Sequence, residues 1–142
     1  MRTILDASMT MAWQLRRVEK GEAALAQKAL KAVESHGAAV PSLWYSEVAN
    51  ALLVAERAHV LTAQDSAIFL DDLHRLEITA DTASLQAIQP SVLALGRAWS
   101  LTGYDAVYLE LVMRTGGTLA TFDRKLAAAT RKAGGQVFGD RP

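Results

Sequence analysis

The chain has 142 residues, 51% of them hydrophobic, which is enough for one domain with a packed core and too apolar for a disordered segment. The formal net charge is zero, so nothing points to a partner held by bulk electrostatics, and the absence of cysteine excludes disulfides and thiolate metal sites. No apolar run is long enough to span a membrane, and the opening Met1-Arg2-Thr3-Ile4-Leu5-Asp6 meets an acid too early for a signal peptide, so a cytoplasmic location is expected.

In chain order, residues 2–5 predict a short buried strand, followed by a helix from near Ser8 that carries Met11, Trp13 and Leu15. Residues 22–35 predict a second helix, with Leu25, Ala26, Ala29, Leu30 and Val33 on one stripe and Gly37 as its stop. Residues 38–40 form an apolar run too short for periodicity to decide. Trp44, Val48, Ala51, Leu52 and Ala55 then follow helical spacing, with Ser42 as the expected cap. Thr62-Ala63-Gln64-Asp65 is a capping-box start for another helix, and residues 76–79 predict a strand. Asp81 is the expected cap of a helical stretch that Pro90 interrupts or restarts and that runs to Trp99. Residues 104–113 are helical, 118–121 a strand, 123–133 a helix and 136–138 a last strand, with Gly116-Gly117 and Gly134-Gly135 as turns. Short apolar strands separated by helices imply an α/β fold: one parallel sheet covered on both faces, with the carboxyl ends of the strands along one edge.

Four acids are expected at that edge. Asp6 and Asp123 each follow a predicted strand, Asp105 lies in the first turn of a helix, and Glu47 lies in the second turn of another. Each has an ordinary explanation as a helix cap or a solvated surface acid. As a set they point further. Four ionised carboxylates in one pocket repel one another, and an all-oxygen set of this kind suits Mg²⁺ or Mn²⁺. Such an ion turns a site that repels phosphate into one that binds it, so metal-assisted phosphodiester cleavage is the leading expectation. Ser8, two residues past Asp6, and Asn50, three residues past Glu47, add a hydroxyl and an amide near the same edge. The segment from Arg124 onward is basic and Arg16, Arg17, Lys20, Arg124 and Lys125 are candidates for contact with a phosphate backbone. The three histidines are scattered and carry no expected metal role. Trp13, Trp44, Tyr45, Trp99 and Tyr108 are expected mainly in the core, with Trp13 or Tyr45 available to stack on a base.

Four blocks carry a family resemblance: Met1-Arg2-Thr3-Ile4-Leu5-Asp6-Ala7-Ser8, the run from Pro41 to Asn50 (Pro-Ser-Leu-Trp-Tyr-Ser-Glu-Val-Ala-Asn), Tyr104-Asp105-Ala106-Val107-Tyr108-Leu109, and Leu119-Ala120-Thr121-Phe122-Asp123-Arg124-Lys125-Leu126. In order and spacing they resemble the signature blocks of PIN-domain ribonucleases, and the length and block order resemble the VapC-type toxins of toxin–antitoxin pairs. The resemblance covers nearly the whole chain. It implies a single PIN-like domain over residues 1–142, a three-layer α/β/α sandwich with a five-stranded parallel sheet in the order 3-2-1-4-5. It also implies Mg²⁺- or Mn²⁺-dependent RNA cleavage, a homodimer and a cognate antitoxin. Asp6, Glu47, Asp105 and Asp123 match the acidic centre, and Ser8, Asn50 and Thr121 match flanking polar positions. Some relatives carry a further acid two residues after the last Asp. Lys125 stands there in this chain, which implies fewer ligands for a second ion. The alternative, from another class, is a non-catalytic interaction domain whose acids cap helices or hold a partner's basic tail.

Overall fold

A computed structural model describes residues 2–15, 19 and 21–141; Met1, residues 16–18, Lys20 and Pro142 lie outside the described residues. The first strand, β1 (Thr3–Leu5), leads into α1 (Ala7–Ala12) and α2 (Glu22–His36), then β2 (Ala38–Val40). Next come α3 (Leu43–Arg57), α4 (Ala63–His74) and β3 (Ile78–Ala80). The last third contains α5 (Leu85–Trp99), α6 (Gly103–Thr115), β4 (Thr118–Ala120), α7 (Arg124–Lys132) and β5 (Gln136–Val137). All neighbouring strands pair parallel, in the order β3-β2-β1-β4-β5. The architecture is therefore the expected five-stranded α/β/α sandwich.

Alternation along three-residue strands divides the core into two layers. Leu5, Ala38, Val40 and Ala120 face α1 to α4, packing with Met9, Val33, Trp44, Val48, Leu52 and Phe69. Ile4, Ala39 and Leu119 face the other way, onto Tyr108, Leu109, Leu111, Val112 and Leu126 of α6 and α7. The register sets Ile4 beside both Ala39 and Leu119, so successive side chains of each strand serve opposite layers. Fully burying each Leu or Ile contributes roughly 1.5–3 kcal/mol, which explains why such short strands suffice. Two glycines are required by close approach. A Cβ on Gly117 would lie 2.8 Å from a side-chain carbon of Ile4, and one on Gly37, where φ is +74°, would lie 2.7 Å from the Glu77 carbonyl.

Several local expectations give way to tertiary context. Ser84, not Asp81, caps α5, with its hydroxyl accepting the Ala87 N–H. Asp81 instead forms a two-point pair with Arg114, which also grips the buried Glu110. Pro90 does not interrupt α5. It sits on the exposed face, as does Gln86, whose carbonyl lacks its usual donor and can be met by water. Ser42 makes no side-chain cap bond, because its own backbone is already helical. The Thr62–Asp65 capping box forms in full.

Candidate active site

The sheet reverses its winding between β1 and β4, and the carboxyl ends of these two strands lie side by side. Ligands of open α/β sheets bind at such a point. Asp6 follows β1 there and Asp123 lies three residues past β4.

Asp6 is 5% exposed and is held from several directions. Its Oδ1 accepts the Met9 N–H at 2.9 Å, which makes it the N-cap of α1. Oδ1 also accepts the Ser8 hydroxyl at 2.8 Å, and Oδ2 accepts the Thr121 hydroxyl. These two hydroxyls are themselves anchored. Ser8 Oγ accepts the Phe122 N–H and Thr121 Oγ1 accepts the Asp123 N–H, each at 2.9 Å. The loop after β4 is thus clipped to the end of β1 through one carboxylate. Burial pushes the Asp6 carboxyl up to about 6, against the lowering effect of Thr121, Met9 and Ser8, and Asp123 adds a smaller upward push. Mutual repulsion, expected of four clustered acids, is the smaller effect. Desolvation is the larger cause, because Asp6 sits inside the fold while its acidic neighbours remain only half-buried.

The other acids form an electrostatic series. Asp123 caps α7, accepting the Leu126 N–H at 3.0 Å on Oδ1. Asp105 lies half-buried in the first turn of α6, where the Thr102 hydroxyl caps the helix by accepting the Asp105 N–H. Its carboxyl is raised by burial and by Asp123, and lowered by Lys125 and Thr102. Glu47 is raised by burial and by Asp105, and lowered by a hydrogen bond from Tyr108. Asp6 therefore feels Asp123, Asp123 acts on Asp105, and Asp105 acts on Glu47. Among the described residues, no three acidic or imidazole side chains are already drawn into one coordination sphere. Each carboxylate is held instead by its own cap or hydroxyl. The donor set nonetheless suits a hard divalent ion, being all oxygen, and three of its members are harder to ionise here than in water. A cation among them would relieve that penalty.

Of the supporting residues, Ser8 and Thr121 join the site directly, whereas Asn50 faces solvent. Arg124 is exposed and pairs with Glu19 at 3.2 Å, and Lys125 lies close enough to Asp105 to bias its ionisation. Arg16, Arg17 and Lys20 lie outside the described residues. Trp13 is pinned to α2, its indole N–H donating to the Ala26 carbonyl, while Tyr45 remains exposed. Tyr108 was expected as a core residue and is one, but its hydroxyl donates to Glu47 Oε1 at 2.5 Å. Its spacing from Asp105 on α6, three residues, was the available signal. Beside Asp123 opens a groove of about 450 Å³, whose lining includes Thr121, Phe122, Arg124, Arg131 and Asp140.

This sheet order, with acids at the reversal point, defines the PIN-like class of α/β domains. The solved structure of PAE2754 from Pyrobaculum aerophilum superposes with a TM-score of 0.69 at 24% identity, covering 96% of this chain and 82% of that one, which supports the fold. Ribonuclease VapC3 of Pyrobaculum aerophilum is 31% identical over 129 residues, 89% of this chain and 93% of that protein. The chain belongs to the VapC ribonuclease family. No family model matches it.

Proposed function

We propose that the chain is a divalent-metal-dependent endoribonuclease acting as the toxin of a toxin–antitoxin pair. The observation that carries this reading is the buried, doubly hydroxyl-held Asp6 at the β1–β4 reversal, coupled to Asp123 and through it to Asp105 and Glu47. The kinship with a protein named a ribonuclease gives the substrate class.

Asp6, Asp105 and Asp123 would hold Mg²⁺ or Mn²⁺, with Glu47 completing the ring or orienting the attacking water. When bound, such an ion acidifies water and offsets charge on the scissile phosphate and leaving oxygen. The chain's own contribution is to fix the oxygens. Ser8 and Thr121 aim the Asp6 carboxylate, and the α7 cap aims Asp123. In-line attack by water with departure of the 3′ oxygen leaves 5′-phosphate and 3′-hydroxyl ends. Arg124 and Lys125, at the start of α7 beside the groove, are suited to the RNA backbone. The exposed Arg124–Glu19 pair contributes little to stability, so a phosphate can take over the guanidinium.

A protein partner and self-association belong to the same reading. Leu85, Leu93 and Tyr104 are large apolar side chains left exposed on α5 and α6, and Leu85 and Tyr104 line a shallow groove with Leu43, Val92 and Val107. Such a surface suits an antitoxin helix or a second copy. Among the described residues no helix is long and apolar enough to cross a membrane.

The rival reading, a non-catalytic interaction domain, draws on the fact that Asp6 and Asp123 do cap helices. Capping engages Oδ1 of Asp123, and among the described residues no hydrogen bond is made to its other oxygen, so the two roles are compatible. The decisive experiment incubates purified wild-type and Asp6→Asn protein with RNA, with Mg²⁺, Mn²⁺ or EDTA, and maps the ends produced. Metal-dependent cleavage with 5′-phosphate ends, lost in Asp6→Asn, is expected. No cleavage by either protein would favour the interaction domain, and equal cleavage by the two would show the assignment of Asp6 to be wrong.

A further inference from the structure

Tyr108 is 2% exposed, and its ring packs in the core layer formed with Leu109, Leu119 and Leu126. Phenylalanine would fill the same volume. The hydroxyl emerges at the acidic edge, where it donates to Glu47 Oε1 at 2.5 Å, across 61 positions of sequence. Tyr108 itself shares a face of α6 with Asp105. One rigid aromatic thus links α6, which carries Asp105, to α3, which carries Glu47.

Glu47 would otherwise be hard to place. It is half-buried on α3, and its long side chain has several rotatable bonds to fix. A hydrogen bond from a donor locked in the core selects one orientation. It also occupies Oε1, while among the described residues no hydrogen bond is made to Oε2.

We propose that Tyr108 is a positioning residue whose hydroxyl holds Glu47 by Oε1, so that Oε2 alone is presented to the acidic centre. The proposal rests on the nuclease reading above. Tyr108 touches neither RNA nor ion; it acts through Glu47, as outer partners of ligating carboxylates do.

The test compares full-length wild type with Tyr108→Phe, Glu47→Gln, the double variant and Glu47→Asp, with Asp6→Asn as control. Three quantities are measured: Mn²⁺ affinity by calorimetry, kcat and KM on an unstructured RNA oligonucleotide, and thermal unfolding in EDTA. Tyr108→Phe should unfold within a few degrees of wild type. It should keep KM for RNA while losing about 10–100-fold in Mn²⁺ affinity or kcat. In the Glu47→Gln background the same change should add no further loss, since the hydroxyl then has no carboxylate to aim. Wild-type Mn²⁺ affinity and kcat in Tyr108→Phe, or losses that multiply in the double variant, overturn the proposal. Glu47→Asp reads the contact from the other side and does not depend on the Phe variant folding. It keeps the charge but shortens the arm, so a kcat loss of at least about tenfold is expected, and a wild-type rate overturns the proposal. If Asp6→Asn also cleaves like wild type, the assignment of the acidic centre has failed and this proposal falls with it. If only Tyr108→Phe is silent, the positioning role alone is lost.

Discussion

The Thr121 hydroxyl donates to Oδ2 of Asp6 across 115 positions of sequence. The same hydroxyl accepts the Asp123 N–H, so one small side chain orients the first acid of the site and the backbone of the last. Ser8 repeats the arrangement on Oδ1 with the Phe122 N–H. The two acids at the sheet reversal are therefore tied together by donors, although their charges repel.

Thr121→Val keeps the shape and removes the hydroxyl. The buried carboxylate oxygen loses a donor and the Asp123 N–H loses an acceptor, each costing about 1–3 kcal/mol if nothing replaces it. Urea unfolding should register a destabilisation of that order, and Mn²⁺ affinity should fall about 10-fold or more. Ser8→Ala acts on the same carboxylate, so the double variant should depart from the sum of the singles. Wild-type Mn²⁺ binding by Thr121→Val would remove the clip from the site.

Asp6 gives the apo protein a signed pH dependence. Its carboxyl is raised from 3.8 to about 6, so between those values the folded state binds more protons than the unfolded state. The neutral form's advantage is fully present below about pH 4 and is lost as pH rises through about 6. In EDTA, Asp6 should therefore reduce stability between pH 4 and pH 7 by on the order of 2–3 kcal/mol. Urea melts across that range should fall with pH for wild type and run flatter for Asp6→Asn. Parallel curves would show that Asp6 is not the titrating group.

A divalent ion should reverse that loss. Binding to the native state alone stabilises by about 2.7 kcal/mol at a hundred times Kd. Differential scanning calorimetry should show Tm rising with millimolar Mg²⁺ or Mn²⁺, more at pH 7 than at pH 5, because the carboxylates must be ionised to bind. Asp105→Asn should blunt the shift. A Tm indifferent to both ions in wild type would favour four structural acids.

Arg114 tests an ion-pair network separate from the four acids. It joins the buried Glu110 on its own helix to Asp81 past the end of β3. Arg114→Met would leave Glu110 without its counter-charge, at a cost of about 2–3 kcal/mol, since the guanidinium is partly exposed. Chemical denaturation would measure it, while the rate of RNA cleavage by the folded protein should stay within about twofold of wild type.

Asp6, Asp105 and Asp123 could be found in the chain because their settings are local. Each stands directly after a strand, at a helix cap or within the first turn of a helix, and the apolar runs and caps that mark those places span only a few residues. Where local signals competed, they misled. Asp81 reads as the cap of α5 until Arg114 takes it, and Pro90 looks like a break until its exposed face shows that the lost bond faces water.

Hydrophobic period and capping chemistry act within a turn or two of chain, so the alternation of short strands and helices, the parallel sheet and the candidate acids could be read from the residues alone. How the acids are held depends on long-range packing. The hydroxyls that meet Asp6, the tyrosine that meets Glu47 and the burial that keeps Asp6 hard to ionise come from groups up to 115 residues apart. Such contacts and desolvation arise from packing, and no local pattern encodes them.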